Sequence, residues 1–428
     1  MLLRLCIDLI DASRRCELTM AVRLDRIPAR ALRPARPRGG VWLGLLLLFL
    51  LLGSGWMVVF SDQLLHHQPV RFFGLALGVP LLAWCLLGMG RALLYFGQQY
   101  VADGWDEARE QDVVRSIRRG RRAQQVLGVS LYTVLRAPGD DPLAQLDALL
   151  RGSNSLKAQP CRVGQAGLRH SRLSDDGNQE TEHLLPVLVQ VLTDLAHTLA
   201  LLPDDTPLAL LLEVDSGLPQ NELRRAWQYA WRESGIRQSA EPIEGDGLDV
   251  LDQWLDQRIN DQALLMVVAL QFAPQPAEGT AEAVVGLLLG NRLTQTVLAP
   301  MALLHRPERE RGASTETLRD AARQALDWVP LPPTAVEHVW RVGADTQRDA
   351  AMATVLVDLP IVVKPNQGLH NLDSLLGHPG KASPWLAIVA ATQTLQRGAG
   401  PQFIFSGAGS DELGLWSTVV MPVPSRLT

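Results

Sequence analysis

Lysine is scarce in this 428-residue sequence, and the chain carries no excess of basic charge. Only three of its 40 basic residues are lysines, Lys157, Lys364 and Lys381, so the remaining 37 are arginines. Because this bias is typical of a GC-rich bacterial genome, arginine clusters alone do not indicate phosphate sites here. The formal net charge of −5 excludes nucleic-acid binding by bulk electrostatics, and we expect no nucleic-acid partner.

Cysteine is also scarce, with only Cys6, Cys16, Cys85 and Cys161 and no pair at a CxxC spacing. This pattern argues against a cysteine-based zinc site and a disulfide framework, and we expect neither a metal nor a cofactor. Apolar residues make up 47% of the chain, charged residues 20% and aromatic residues 5%, which excludes a disordered or collagen-like protein. The length predicts two or three domains.

Two uncharged apolar runs predict a transmembrane hairpin within residues 41–96. The runs are 41–60, with 20 residues, and 72–90, with 19 residues. A helix of about 20 residues spans roughly 30 Å, the thickness of the hydrocarbon core. Pro80 lies in the second run, where a spanning helix tolerates it. A buried core hairpin and a cleaved signal peptide are the alternatives, but a signal peptide would be shorter and would leave the second run unexplained.

The distribution of arginine predicts that both termini are cytoplasmic. The arm 1–40 carries nine arginines against four acidic residues, whereas the loop 61–71 has one of each sign. The stalk 97–123 has its arginines concentrated at 115–122. By the positive-inside rule, the chain is expected in a bacterial inner membrane with a short periplasmic loop. The cluster at 115–122 can also bind anionic lipid headgroups, although topology alone explains it equally well.

Residues 124–428 alternate between strand-like and helical patterns, which indicates an α/β domain with a covered sheet. The predicted strands are 126–135, 208–214, 264–270, 283–289, 295–304, 336–342, 402–406 and 416–422, and the predicted helices are 143–150, 182–202, 221–234, 248–260, 314–327, 348–358 and 383–397. The stretch 151–180 is polar and irregular. The start of the protein, Met1 or Met20, stays open, and the topology does not depend on it.

Several short segments of this domain occur in the order seen in β-ketoacyl synthases and resemble motifs of that family. They are 127–130 with 149–153, 264–270, 278–289, 339–346 with Asp349, and 374–383. The resemblance implies a thiolase-like fold, in which two similar halves pack as five layers of helix and sheet, preceded here by the two-helix hairpin. It also implies a homodimer that pairs through a central strand.

The resemblance further implies a cysteine nucleophile and two histidines, and most of this set is missing. The nucleophile should lie between the strands 208–214 and 264–270, yet no cysteine occurs from 162 to 428. Val342 stands at the first histidine, so only the second remains, as His378, and the closing loop 405–411 is altered. One imidazole without a nucleophile cannot form an acyl-enzyme, so we expect a catalytically degenerate member with no catalytic residue beyond this remnant.

Other candidate residues have ordinary interpretations beside functional ones. Ser234 and Ser239 lie in the nucleophile interval, but neither is in a glycine-flanked turn from strand to helix. Lys381 can bind an anion at a helix start or simply be a surface charge. The remaining candidates lack the spacing of metal ligands or lie outside the expected site, namely His66, His67, His305, His338, His370 and Cys161.

Three functions from different classes remain compatible with the sequence. The first is a membrane-tethered, inactive scaffold or adaptor that binds a protein partner. A secreted effector is the candidate partner, because degenerate thiolase-like proteins resemble accessory factors encoded beside type VI secretion effectors. The second is a membrane-associated enzyme or binding protein for acyl thioesters, and the third is a structural dimer of the inner membrane. A nucleophile beside His378 distinguishes the second from the other two.

Overall fold

A computed structural model describes residues 27–60, 69–137, 139–141, 143–162, 167–173, 180–363, 367–407 and 414–424. These residues form two compact units, one that ends at Ile117 and one that begins at Arg118. The second unit therefore includes the end of the predicted stalk 97–123. The predicted loop residues His66 and His67 lie outside the described residues.

The first unit contains helices α1 (Gly39–Phe60) and α2 (Pro69–Phe73), a π-helical stretch, Gly74–Gly78, and helix α3 (Val79–Gly120) as far as Ile117. Two helical segments, Gly39–Val59 and Val70–Gly120, are long and apolar enough to cross a membrane, with mean hydropathies of 2.2 and 2.0. The second segment continues from the apolar run into the predicted stalk and ends at Gly120.

Pro80 explains the π-helical stretch that precedes it. Proline has no backbone N–H, so the regular hydrogen bond to the carbonyl of Ala76 is lost and the helix widens locally. Against this point, α1 presents Gly53, where a Cβ atom would lie 2.2 Å from Pro80 Cγ. The indole Nε1 of Trp84 donates a hydrogen bond to the carbonyl oxygen of Trp42 at 2.9 Å. A small residue thus lets the two helices pack closely.

The described part of the second unit alternates strands and helices. Its helices are α4 (Leu146–Leu150), α5 (Glu180–Leu199), α6 (Gln220–Glu233), α7 (Gly247–Gln257), α8 (Thr315–Asp327), α9 (Thr346–Asp358), α10 (Leu372–Leu376) and α11 (Ser383–Gln396). Its strands are β1 (Ala123–Tyr132), β2 (Lys157–Gln159), β3 (Leu168–His170), β4 (Leu208–Ser216), β5 (Ala240–Pro242), β6 (Leu264–Phe272), β7 (Ala283–Asn291), β8 (Ala302–His305), β9 (Glu308–Arg309), β10 (His338–Val342), β11 (Leu369–Asn371), β12 (Gln402–Ser406) and β13 (Trp416–Met421).

The main sheet consists of two halves with the same topology. The first half has the order β5-β4-β6-β7-β1, and the second has the order β11-β10-β12-β13-β8. In each half, the strand before the last in this order, β7 or β13, runs antiparallel to the others. The halves meet where β1 pairs antiparallel with β8. The internal repeat that the family resemblance implied is therefore present in the strand order.

The second unit has five layers of helix and sheet, and three apolar cores fill the spaces between them. The central core joins the inner faces of both halves of the sheet to α7 and α11, and it contains Trp254 and Trp385. The outer cores lie between the first half and α5 and α6, and between the second half and α8 and α9. Helix α11 is buried from Ser383 to Leu395, because it is apolar on all sides and lies in the central layer. The expected five-layer architecture is confirmed.

Some local predictions were wrong. Residues 295–301 form a loop rather than a strand, and only Ala302–His305 pairs, as β8. The polar stretch 151–180 contains the hairpin β2–β3, in which Lys157 pairs with His170. Its pairing is set by the partner strand rather than by a hydrophobic alternation that the sequence displays.

Candidate functional site

A cavity of about 650 Å³ opens at the carboxyl ends of the parallel strands in the second half. Residues that line it come from the turns after β10, α10 and β9 and from the β12–β13 hairpin. Among them are Glu310, Gly343, Arg348, His378, Gly407 and Leu415. Crevices at this edge of an open α/β sheet are the usual ligand sites of such folds. We therefore treat this cavity as the candidate site.

His378, the remaining histidine of the predicted site, lies on the cavity wall with its backbone fixed on both sides. Its carbonyl oxygen accepts hydrogen bonds from Gln271 Nε2 at 2.6 Å and from the Ala281 backbone N–H at 2.9 Å. Its own N–H donates to the carbonyl of Gly279 at 2.8 Å. The Nδ1 atom of the ring accepts from the Gly380 N–H at 3.3 Å, which leaves Nε2 to carry the proton in the neutral ring.

A half-buried carboxyl group, Asp373, lies close enough to this imidazole to interact with it electrostatically. Its Oδ2 accepts a hydrogen bond from the Ala344 backbone N–H at 3.1 Å, and its Oδ1 has no hydrogen-bond partner among the described residues. Burial raises the pKa of Asp373, and the positive charge of a protonated His378 opposes that increase. The pair supplies one imidazole and one carboxyl group, but no nucleophile.

The arginines around the cavity are paired within the protein. Arg348 forms a salt bridge with the buried Glu310, whose other carboxylate oxygen accepts from the Leu415 N–H at 2.7 Å. Arg309 forms a salt bridge with Asp249 at 3.3 Å. The local charges are thus largely compensated, and the cavity does not present a concentrated positive charge to an anionic ligand.

The position of the missing first histidine is incorporated into the core. Val342 ends β10 with 1% of its surface exposed, and its side chain belongs to the central apolar core. The next residue, Gly343, has a φ angle of +74°, and a Cβ atom there would lie 2.1 Å from the Gly407 carbonyl oxygen. The two glycine backbones are therefore in direct contact, and neither position has room for a catalytic side chain.

The turn from β5 to α7, at 243–247, lies beside the segment that follows His378. Asp246 lies there, and its carboxylate binds Lys381 Nζ at 3.2 Å. Glu213 accepts hydrogen bonds from the Gly247 N–H and from Trp385 Nε1, the latter at 2.8 Å, and so connects the starts of both central helices. Burial raises the pKa of Glu213, and these two donors oppose the increase. The turn contains neither a thiol nor a hydroxyl group.

The two serines of the nucleophile interval lie elsewhere. Ser234 ends α6, and its Oγ donates to the Trp231 carbonyl at 2.8 Å. Ser239 precedes β5 and lines a different pocket, together with Thr206 and Asp261. Neither serine lines the His378 cavity.

The other predicted candidates have structural surroundings or fall outside the description. His338 Nδ1 and His370 Nε2 share a hydrogen bond of 2.9 Å, and His370 also stacks on Trp340. Burial lowers the pKa of both His305 and His370 to about 4, so both are neutral at physiological pH. Cys161 is a half-buried free thiol. Loop residues 408–411 and Lys364 lie outside the described residues.

Two arginines of the predicted lipid-binding cluster 115–122 are engaged inside the second unit. Arg119 binds the carboxylate of Asp256 at 2.6 Å, and Arg122 Nη1 donates to the Leu255 carbonyl at 2.7 Å. The buried Arg306 also reaches Asp256, at 2.7 Å. These two side chains are therefore not available to headgroups. Within the residues that the structure describes, no group of three or more histidine, cysteine or acidic side chains is arranged to hold a metal ion.

Sequence reasoning missed Glu213 and Asp373 as parts of the site. Glu213 had a visible signal, because it is a charged residue inside the apolar run 208–214 and must find partners when that run is buried. Asp373 had none, since its partners Ala344 and His378 are recruited by the tertiary fold alone.

Comparison with known proteins supports the fold and nothing finer. No family model and no curated protein matches the sequence. Among solved structures, the ishigamide ketosynthase/chain length factor shares 13% identity and a TM-score of 0.50, over 70% of this chain and 99% of that one. A type II polyketide synthase ketosynthase bound to its acyl-carrier protein gives 12% identity and a TM-score of 0.49, over 71% of this chain and 100% of that one. The human mitochondrial 3-ketoacyl-CoA thiolase gives 10% and 0.43, over 71% and 99%. The match to the ishigamide ketosynthase/chain length factor, together with the duplicated strand order, shows that the second unit has a thiolase-like fold.

Proposed function

We propose that this chain is a membrane-tethered, catalytically degenerate protein of thiolase-like fold that serves as a scaffold or adaptor for another protein. The start of α7 is the observation that carries the proposal. The family resemblance places the acyl-transfer nucleophile between the strands 208–214 and 264–270, and the turn in this interval that lies beside the segment after His378 holds Asp246, bound to Lys381. A carboxylate in a salt bridge is a poor substitute for a thiolate, and no neighbouring group activates it.

The rest of the cavity supports the same proposal. Val342, at the position of the first histidine, can neither donate nor accept through its side chain, which is packed in the central apolar core. A single imidazole stabilises an oxyanion only when an acyl group has already been captured. The retained parts of the site therefore serve the shape of the domain, since fold and function separate readily.

In this proposal the two apolar helical segments tether the domain to the bacterial inner membrane, with both termini in the cytoplasm. Tethering raises the local concentration of a binding module near any membrane-bound partner, without adding a contact. The partner class that we propose is a secreted effector of the type VI kind, which rests on the family resemblance. A homodimer is proposed on the same ground, and sedimentation of the detergent-solubilised protein tests it.

A second function, binding of an acyl thioester without turnover, is favoured by one observation. The cavity of about 650 Å³ is large enough for a small-molecule ligand and is lined by His378. In that case His378 would orient the ligand, and its removal would abolish function without unfolding the protein.

A capture experiment in cells separates these two functions. Wild-type protein, His378→Ala and a variant that lacks residues 1–100 are purified from cells after crosslinking, with His197→Ala as the surface control. The adaptor proposal predicts the same partner on the wild type and both histidine variants, and less of it on the tether deletion. Loss of the partner in His378→Ala alone, with the protein folded and abundant, would instead establish a role for a ligand at this imidazole.

A further inference from the structure

An apolar groove runs along the first unit, between the N-terminal arm and α3, with a volume of about 830 Å³. One wall is the arm segment 31–34. The other is the face of α3 from Leu93 to Trp105, which extends about 18 Å along the helix axis. The exposed apolar side chains that line the groove include Leu32, Leu93, Leu94 and Val101.

The arm is held against α3 by ion pairs and by a backbone hydrogen bond. Arg33 forms salt bridges with Asp103 and with Asp106, the latter at 2.8 Å. The Ala31 backbone N–H donates a hydrogen bond to Asp106 Oδ1 at 2.9 Å. The arm is therefore a fixed wall of the groove, and the charge of Arg33 is compensated within the protein.

The arm and α3 run antiparallel, which sets the level of the arm along the helix. At one end are the ion pairs of Arg33, and at the other a Cβ atom at Gly88 would lie 3.9 Å from the ring of Trp42. Residues 34–41 therefore pass along residues 89–102 of α3, where most of the groove lies.

Three arginines in this interval carry charges that the described part of the protein does not compensate. They are Arg36, Arg38 and Arg91. None of these side chains forms a salt bridge or a hydrogen bond with another described residue. Arginines near a bilayer surface extend their guanidinium groups to the lipid phosphates, and each one adds to the attraction for anionic lipids.

The sequence of α3 places the groove at the edge of the bilayer in the tethered protein proposed above. The stretch 72–97 carries only one charge, that of Arg91, and a helix of this length extends about 39 Å. This exceeds the hydrocarbon thickness of about 30 Å, so we expect the helix to tilt. Residues 93–97 then border the acyl chains, and Trp105 lies among the headgroups, where tryptophan is favoured.

We propose that this groove binds an anionic phospholipid of the cytoplasmic leaflet. One acyl chain lies along the wall from Leu93 to Gly97, and the phosphate is held by the three uncompensated arginines. The site rests on the membrane tether proposed above and gives that tether a preference for anionic lipid.

A phospholipid fits this groove better than a helix of a partner or of a second copy does. A protein occupant would have to bring carboxylates to neutralise the arginines, and carboxylates are costly at the edge of the hydrocarbon core. A phospholipid already carries its negative charge at this level, and its acyl chain supplies the apolar surface that the groove needs.

The test titrates the full-length protein in detergent with phosphatidylglycerol or with phosphatidylcholine of the same acyl chains, and native mass spectrometry measures the lipid bound per chain. The double variant Arg36→Gln with Arg38→Gln removes two of the three charges. Arg118→Gln with Arg121→Gln is the matched control, because both arginines are exposed and belong to the basic cluster 115–122, outside the groove.

A second pair of variants tests the acyl-chain part of the site. Gly97→Phe fills the groove, whereas Gly104→Phe does not, because only Gly97 lines it. A Cβ atom would meet nothing within 4 Å at either glycine, so both variants should fold, and circular dichroism verifies this.

We expect the wild type to bind one phosphatidylglycerol at least about tenfold more tightly than phosphatidylcholine. The arginine variant should bind phosphatidylglycerol at least about fivefold more weakly than the wild type, and Gly97→Phe should lose the bound lipid. Both controls should behave like the wild type, and excess inorganic phosphate should not displace the lipid.

Four results would overturn the proposal. They are equal affinity for the two lipids, equal losses in the two arginine variants, displacement of the lipid by inorganic phosphate, and unchanged binding by Gly97→Phe. A change of oligomeric state in Gly97→Phe, visible in the same spectra, would also overturn it, because the groove would then hold a protein.

The capture experiment in cells keeps this proposal separate from the adaptor function. A preference for phosphatidylglycerol in a protein that captures no partner would disprove the adaptor function alone. A captured partner without any lipid preference would disprove the lipid site alone.

Discussion

Glu308 is a buried carboxylic acid whose ionisation should make the stability of the second unit depend on pH. It lies on β9 with 3% of its surface exposed, and its Oε1 accepts a hydrogen bond from Trp328 Nε1 at 2.5 Å. Burial raises its pKa from 4.5 to about 7, and Asp252 adds to the increase, whereas Trp328 and Arg306 oppose it. We predict that Glu308→Gln stabilises the protein at high pH and leaves it unchanged at low pH.

The magnitude follows from the pKa difference between the folded and unfolded states. Below pH 4.5 both states hold the proton, so the wild type has no penalty. Between pH 4.5 and about 7 the unfolded chain releases its proton first, and stability falls as the pH rises. Above pH 7 the full difference of about 2.5 pH units applies, which corresponds to an upper limit of about 3 kcal/mol. Glutamine is neutral at every pH and keeps an acceptor for Trp328.

The assay is denaturant unfolding of the full-length protein in detergent, followed by tryptophan fluorescence at pH 5 and pH 8. The difference in unfolding free energy between variant and wild type should grow by about 2 kcal/mol between these two values. Titrating groups that do not interact with Glu308 contribute equally to both proteins and cancel. Glu316→Gln, at an exposed position, should show no such growth. A difference that is independent of pH, or one that favours the wild type at pH 8, would refute the reasoning.

Three further predictions concern the site and the membrane segments. Gly343→Ala should lower the free energy of unfolding by about 2–4 kcal/mol, because φ is +74° and a Cβ would overlap the Gly407 carbonyl. Gly139→Ala is the control, since Gly139 has a φ of +83° but lies in open space, and it should lower this free energy by only about 1 kcal/mol. Equal losses in the two variants would contradict the contact between Gly343 and Gly407. His378→Ala should lower the unfolding free energy by about 1 kcal/mol, since it removes the acceptor of the Gly380 N–H; an unchanged midpoint would show that this bond contributes nothing. Alkaline phosphatase fused after Thr428 should be inactive, as its activity would place the C-terminus outside the cytoplasm and reverse the topology.

The sequence predicted the elements whose side chains alone decide their structure. The strand 402–406 and the helix 314–327 were predicted within a residue, because continuous apolar runs and a helical period need no knowledge of neighbours. The short strands β5 and β11 were missed, since three residues carry no periodic signal and become strands only by pairing with β4 and β10. Residues 295–301 were misassigned because Val297 and Leu298 are apolar but lie in a loop.

The site was predictable in part for the same reason. The sequence alone showed which catalytic residues the site lacks, because valine stands at position 342 and no cysteine occurs from 162 to 428. Its retained contacts could not, because Asp246 meets Lys381 across 135 positions of sequence. Similarly, the sequence indicated Arg119 as a contact for lipid headgroups, but in the fold its side chain binds Asp256. The groove beside α3 follows from the packing of the arm segment 31–34, which only the structure reveals.

Catalytic degeneracy is tested most directly by the intact mass of the full-length protein after incubation with acyl thioesters. The account predicts no stoichiometric adduct on the wild type, and the same result for Cys161→Ser, which removes the free thiol in the described part of the second unit. A stoichiometric acyl adduct that persists in Cys161→Ser and disappears in His378→Ala would contradict it and show that the domain is an enzyme.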